Sequence, residues 1–131
     1  MLTLPLACIP LALVTVYLPR LGVLRAQTRH PDGWDNKHPR DQVATITGWP
    51  RRAHAAHMNG FEGFAPFAAA VLVAHVAGAD ADWAAMSSVL FVIARALYVA
   101  FYIANLDKLR TLVWIVGFSA TWALFALPLL H

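Results

Sequence analysis

The sequence predicts an all-helical integral membrane protein with four spans. Three observations carry this reading. First, the 131 residues are 60% hydrophobic and only 13% charged, against roughly 25% charged in an average soluble domain. Second, the apolar residues fall into runs of roughly 20, the length that crosses a bilayer as a helix. Third, the basic residues behind the net charge of +3 gather at the ends of those runs. A nucleic-acid binder would instead set them in a patch among polar neighbours, so no nucleic-acid partner is expected.

The first helix is expected over about residues 2–27. No charge precedes its apolar run, whereas Arg20, Arg25 and Arg29 follow it. A cleavable signal has the reverse order, so the reading is a retained span with its N-terminus outside. The stretch from His30 to Asp41 is rich in Pro, Gly, Asp and Asn and reads as a loop. A second helix is expected over about 42–77, polar in its first half and apolar in its second, with Pro50 and Pro66 as possible kink sites. An acidic hinge, Gly78-Ala-Asp80-Ala-Asp82, closes it. The third helix is expected over about 83–105 and the fourth over about 109–130, joined by a turn at Leu106-Asp107-Lys108. All Lys and Arg except Arg95 lie in or beside the first and third loops. Cytoplasmic loops collect such residues, so both termini are expected on the non-cytoplasmic side.

Some polar residues lie where lipid would be expected. Glu62 falls inside the second helix and Arg95 near the centre of the third. Ionised groups at that depth cost about 2.5–3.5 kcal/mol and nearly always face the bundle interior and pair, so Glu62 and Arg95 are expected to pair. On the third helix Arg95, Tyr98, Tyr102 and Asn105 fall within about 80° of one another. On the second, Arg52, Asn59 and Glu62 form a similar stripe, and the fourth opens with Arg110 and Thr111. Arginines in this setting suit carboxylates or phosphates, which they can hold bidentately. The expected site takes a small anionic molecule from the cytoplasm together with a lipophilic one from the bilayer.

Other residues are read as structural. Cys8, the single cysteine, reads as a small buried hydrophobe. His54 and His57 are three apart, but zinc needs a third protein ligand and Glu62 lies off their face, so no metal is expected. His75 and His131 lie near the outer ends of helices. Trp83, Trp114 and Trp122 read as belt or lipid-facing residues. Ala68, Ala69, Ala70 and Ala74 suit close helix packing.

The spacing of these polar residues resembles a known family, the membrane-associated proteins in eicosanoid and glutathione metabolism (MAPEG), in a bacterial-type member. The second helix of that family carries an Arg, then Ala-His-x-Asn-x-x-Glu, then Pro-Phe. Here Arg52 precedes Ala56-His57-Met58-Asn59-Gly-Phe-Glu62, and Pro66-Phe67 follows. The family's third-helix pattern, Arg-x-x-His/Tyr-x-x-x-Tyr, is matched by Arg95, Tyr98 and Tyr102. Its fourth helix opens with an Arg and, in several members, a hydroxyl residue, as Arg110-Thr111 does. Pro39-Arg40-Asp41 matches a Pro-x-Asp at the end of the first loop.

The resemblance implies a four-helix bundle assembled as a homotrimer, with glutathione as co-substrate between subunits; the small size and short loops suit a bacterial inner membrane. It implies that Arg52, His57, Asn59, Glu62, Arg95, Tyr98 and Tyr102 bind glutathione. Arg110 and Thr111 would stabilise its thiolate for attack on a lipophilic electrophile or hydroperoxide. Two departures stand out: Ala55 and Met58 occupy positions where members often carry Arg. The family also contains a non-catalytic lipid-binding member. The alternative expectation is therefore a protein that binds a lipid or a partner in the same intersubunit cleft without catalysis.

Overall fold

The computed structural model describes residues 2–130, so His131 lies outside the described residues. The described residues form five α-helices: α1 (Leu4–Thr28), α2 (Pro39–Thr45), α3 (Trp49–Val76), α4 (Ala81–Ile103) and α5 (Asp107–Ala126). A 3-10 turn at Leu127–Leu129 closes the chain. No strand occurs among the described residues. Among the described residues three helical stretches, Leu4–Thr28, Ala81–Ile103 and Asp107–Leu129, are long and apolar enough to cross a membrane. The polar first half of α3 keeps it out of that group.

The single helix expected from about residue 42 to 77 is divided in the structure. Residues 46–48 are not helical and separate α2 from α3. Gly48 has φ 71° and ψ −148°, a backbone region essentially closed to residues with a Cβ. Pro50 then falls in the first turn of α3, where its missing N–H costs nothing and its fixed φ favours the helix. It starts the helix rather than kinking it.

The other helix ends also have local causes. Gly78 (φ 71°) ends α3: its own N–H donates to the His75 carbonyl, and the N–H of Ala79 donates to that of Ala74. Asn105 (φ 62°) ends α4 in the same way, with Asn105 N–H to Tyr102 and Leu106 N–H to Phe101. Both are Schellman stops, which satisfy carbonyls the helix leaves open. The Asp80 carboxylate accepts from the N–H groups of Asp82 and Trp83 and caps the start of α4.

α1 packs chiefly on α3 and α4 chiefly on α5, while α3 touches both members of the second pair. The core between them holds Cys8, Ala12, Phe67, Ala70, Val71, Ala74, Phe91 and Leu124. Phe67 and Phe91 stack face to face at 3.8 Å across the α3–α4 contact. Ala70 and Ala74 are buried as the small-residue reading expects, but Ala69 is exposed. Leu18, Leu21, Leu72, Ile93, Leu112 and Ile115 are among many large apolar side chains left on the outside. An exposed apolar surface on this scale suits lipid rather than water.

Candidate functional site

α3, α4 and α5 each turn one polar stripe toward a common side. Asn59 is the link between the first two. Its Oδ1 accepts from both terminal nitrogens of Arg95, each at 3.2 Å, and its Nδ2 donates to Glu62 Oε2 at 2.9 Å. Arg95 is 5% exposed, so nearly all of its side chain lies inside the protein. Its guanidinium also sits over the Tyr98 ring, 4.3 Å from the centroid. Tyr98 and Tyr102 meet edge to face at 5.5 Å. Arg110 lies over the Tyr102 ring at 4.4 Å. A continuous line thus runs Glu62, Asn59, Arg95, Tyr98, Tyr102, Arg110 across three helices.

The direct pair expected between Glu62 and Arg95 is not formed. Among the described residues the one basic side chain within 4 Å of a carboxylate is His30, 3.6 Å from Asp32. Asn59 stands between the two charges and serves both. Glu62 is exposed rather than turned to the interior. Pro66 lies one turn beyond it. Because a proline has no N–H and clashes with the carbonyl four residues back, the Glu62 carbonyl has no partner from that position.

The remaining expected residues are placed as follows. Arg52 Nε donates to the carbonyl of Ile103, the last residue of α4, at 2.9 Å. That arrangement suits a cation at the negative end of a helix. His57 faces the other way. Its Nδ1 is 2.7 Å from the Val16 carbonyl of α1, and its ring packs against Tyr17 and Phe61. It ties α3 to α1 and is not brought together with Asn59 and Glu62. Thr111 donates its hydroxyl to the Asp107 carbonyl one turn back. It still lines a pocket of about 240 Å³ with Tyr98, Tyr102, Arg110 and Trp114.

Trp114 borders a second cavity as well. This one holds about 250 Å³ between α3, α4 and α5. Asn59, Glu62 and Arg95 form its polar wall, and Phe91, Phe118, Trp122 and Phe125 form much of the rest. Trp114 and Trp122, expected to be belt or lipid-facing residues, therefore border the cavity while staying partly exposed. The sequence does carry a signal for this. Trp114, Phe118, Trp122 and Phe125 repeat at spacings of four, four and three, which aligns them on one face of α5. Successive rings lie 5.2, 6.1 and 5.9 Å apart. Gly63 and Gly117 also line the cavity. A Cβ on either would only reach ordinary contact with Arg95, 3.7 Å and 3.9 Å away.

The arrangement offers two guanidinium groups, an amide and two phenols beside an aromatic cavity. It can hold an anionic, hydrogen-bonding molecule at the polar end and an apolar one at the other. The MAPEG family model matches residues 4–130, nearly the whole chain. No curated protein and no solved structure matches the chain.

Proposed function

The chain belongs to the MAPEG family, and on that premise we propose that it is a membrane-embedded, glutathione-dependent transferase or peroxidase. The observation that carries this is the line from Glu62 through Asn59, Arg95, Tyr98 and Tyr102 to Arg110, laid beside an aromatic cavity. Glutathione carries two carboxylates, an ammonium and a thiol. Arg95 suits one carboxylate, and exposed Glu62 suits the ammonium. Arg110 suits the thiolate, because a neighbouring guanidinium lowers a thiol pKa from its ordinary value of about 8.5. The lipophilic partner enters the cavity between α3 and α5.

In transfer, the thiolate sulfur bonds to the electrophilic carbon. The leaving group departs with its electron pair, and the thiol proton has already passed to water. In peroxide reduction, the sulfur attacks one oxygen and the O–O bond breaks. The terminal oxygen goes to sulfur as a sulfenic acid, the alkoxide takes a proton, and a second glutathione thiol converts the sulfenic acid to a disulfide and water.

The four long helices form a membrane bundle that assembles as a homotrimer in a bacterial inner membrane, with both termini on the non-cytoplasmic side. Glu62 supports the assembly. An exposed carboxylate on α3 is unfavourable against lipid, and a second copy that brings a hydrogen-bond donor or a cation to that face lowers the cost.

A second reading has its own observation. Ala55 and Met58 carry no charge where family members often carry Arg, so the site has fewer cationic ligands. That favours a protein binding a lipid or partner in the same cleft without catalysis. Calorimetry of glutathione binding to detergent-purified protein separates the two. Saturable binding that is lost in Arg110→Ala supports the enzyme. No binding at millimolar glutathione rejects it and leaves the second reading.

A further inference from the structure

Away from the Arg95 site, α1, α2 and α3 enclose a pocket of about 450 Å³. Arg20 comes from α1, Arg40 from α2 and His54 from α3. Among the described residues neither arginine has a hydrogen-bonding partner or a carboxylate within 4 Å. His54 Nδ1 is fully buried and also has no partner. Arg20 and His54 are partly buried and Arg40 is exposed, so the pocket gathers unpaired positive charge beside a ring nitrogen donor, and an anion would complement it. We propose that this pocket binds the phosphate of an anionic phospholipid.

Depth and surroundings select a lipid over a free ion. Two residues before His54, Arg52 bonds the last carbonyl of α4. The pocket therefore lies at the level where an apolar, span-length helix ends, which is where headgroups begin. Pro39, Val43 and Met58 give the pocket an apolar wall. Next to Arg20 on α1, Tyr17, Leu18 and Leu21 are each more than half exposed and offer a track for acyl chains. Arginine holds phosphate through paired, charge-assisted hydrogen bonds, and a His ring N–H can add a third.

The test titrates the full-length protein in neutral detergent with short-chain phosphatidylglycerol, short-chain phosphatidylcholine and inorganic phosphate. Native mass spectrometry reads bound lipid, and the melting temperature reads stabilisation. Two charge-matched variants are compared: Arg20→Gln with Arg40→Gln, and Arg25→Gln with Arg29→Gln, which lies outside the pocket. All four side chains are at least partly exposed, so both variants should fold. His54→Phe provides an independent third probe. The expected result is that wild type and the Arg25/Arg29 variant bind phosphatidylglycerol alike. The Arg20/Arg40 variant should bind at least about tenfold more weakly, the loss of one or two charge-assisted bonds.

Equal binding by the two double variants would overturn the proposal, since only total charge would then matter. Inorganic phosphate binding as tightly as the lipid would also overturn it, in favour of a free-anion site. Neither variant touches the Arg95 line, so this outcome is independent of glutathione binding.

Discussion

Asn59 presents its single side-chain oxygen to both terminal nitrogens of Arg95, at 3.2 Å each, and passes the contact on to Glu62. The amide, not the carboxylate, is the direct partner of the buried guanidinium. Asn59→Leu should therefore destabilise the protein by about 1.5–3 kcal/mol, the worth of hydrogen bonds to a charged group. Adding Arg95→Met to it should cost less than the two single changes summed, because the charge left without a partner is gone. A double-mutant cycle by denaturant unfolding should give a coupling of about 0.5–3 kcal/mol for Asn59 and Arg95. The cycle for Glu62 and Arg95 should give a smaller value. A larger one would mean that the carboxylate holds the guanidinium directly.

Arg110 is half-buried, with its guanidinium over the Tyr102 ring. Cation–π contacts at exposed sites are worth about 0.5–1 kcal/mol, so Arg110→Ala should leave the fold intact. If Arg110 stabilises a bound thiolate, its removal raises the thiol pKa. The thiolate absorbance of bound glutathione should then appear only at higher pH, and turnover at neutral pH should be abolished. Unchanged turnover would remove Arg110 from the chemistry.

Gly60 and Gly63 lie one turn apart on α3, yet substitution should have opposite effects. A Cβ at Gly60 would lie 3.2 Å from the Val16 Cα and 3.1 Å from its Cγ1. α1 would have to move away, so Gly60→Ala should cost about 1–3 kcal/mol, as overpacking does. A Cβ at Gly63 meets only the Arg95 guanidinium at 3.7 Å, which is ordinary contact. Gly63→Ala should be neutral or stabilise by about 0.5–1 kcal/mol through helix propensity. Melting curves of the two variants in one detergent decide the matter.

These particulars show which features could be read from the chain. Arg95, Tyr98 and Tyr102 were legible because 3.6-residue periodicity alone puts them on one side of a helix. His57 belongs to the same motif as Asn59 but sits two positions away, and residues two apart do not share a helix face. Its partner is the Val16 carbonyl on a different helix, which periodicity cannot locate. The break before α3 is illegible in the sequence for a related reason. Pro50 was visible as an irregularity, but the cause is the backbone conformation of Gly48. The choice of Asn59 over Glu62 as the partner of Arg95 is a matter of side-chain reach between helices, and a list of charges does not contain it.

The first loop offers a test by pH. Asp35 Oδ1 accepts from the N–H of Lys37 at 2.8 Å and of His38 at 2.9 Å. Those two backbone donors, His38 first, hold its carboxyl below the ordinary value. The loop lies outside the membrane-spanning helices, so the group titrates in water. A carboxyl whose pKa is depressed in the folded state favours folding above its unfolded pKa, about 3.9. That contribution is lost as pH falls through the lower folded value. Amide exchange at Lys37 and His38, corrected for intrinsic rates, should therefore be protected at pH 6 and lose protection below about pH 4. Asp35→Asn keeps an oxygen acceptor and should remove the pH dependence while retaining part of the protection. Asp35→Ala should remove both. Protection in Asp35→Ala equal to wild type would show that Gln42, which accepts from the Asp35 N–H and donates to the Gly33 carbonyl, orders this loop without the carboxylate.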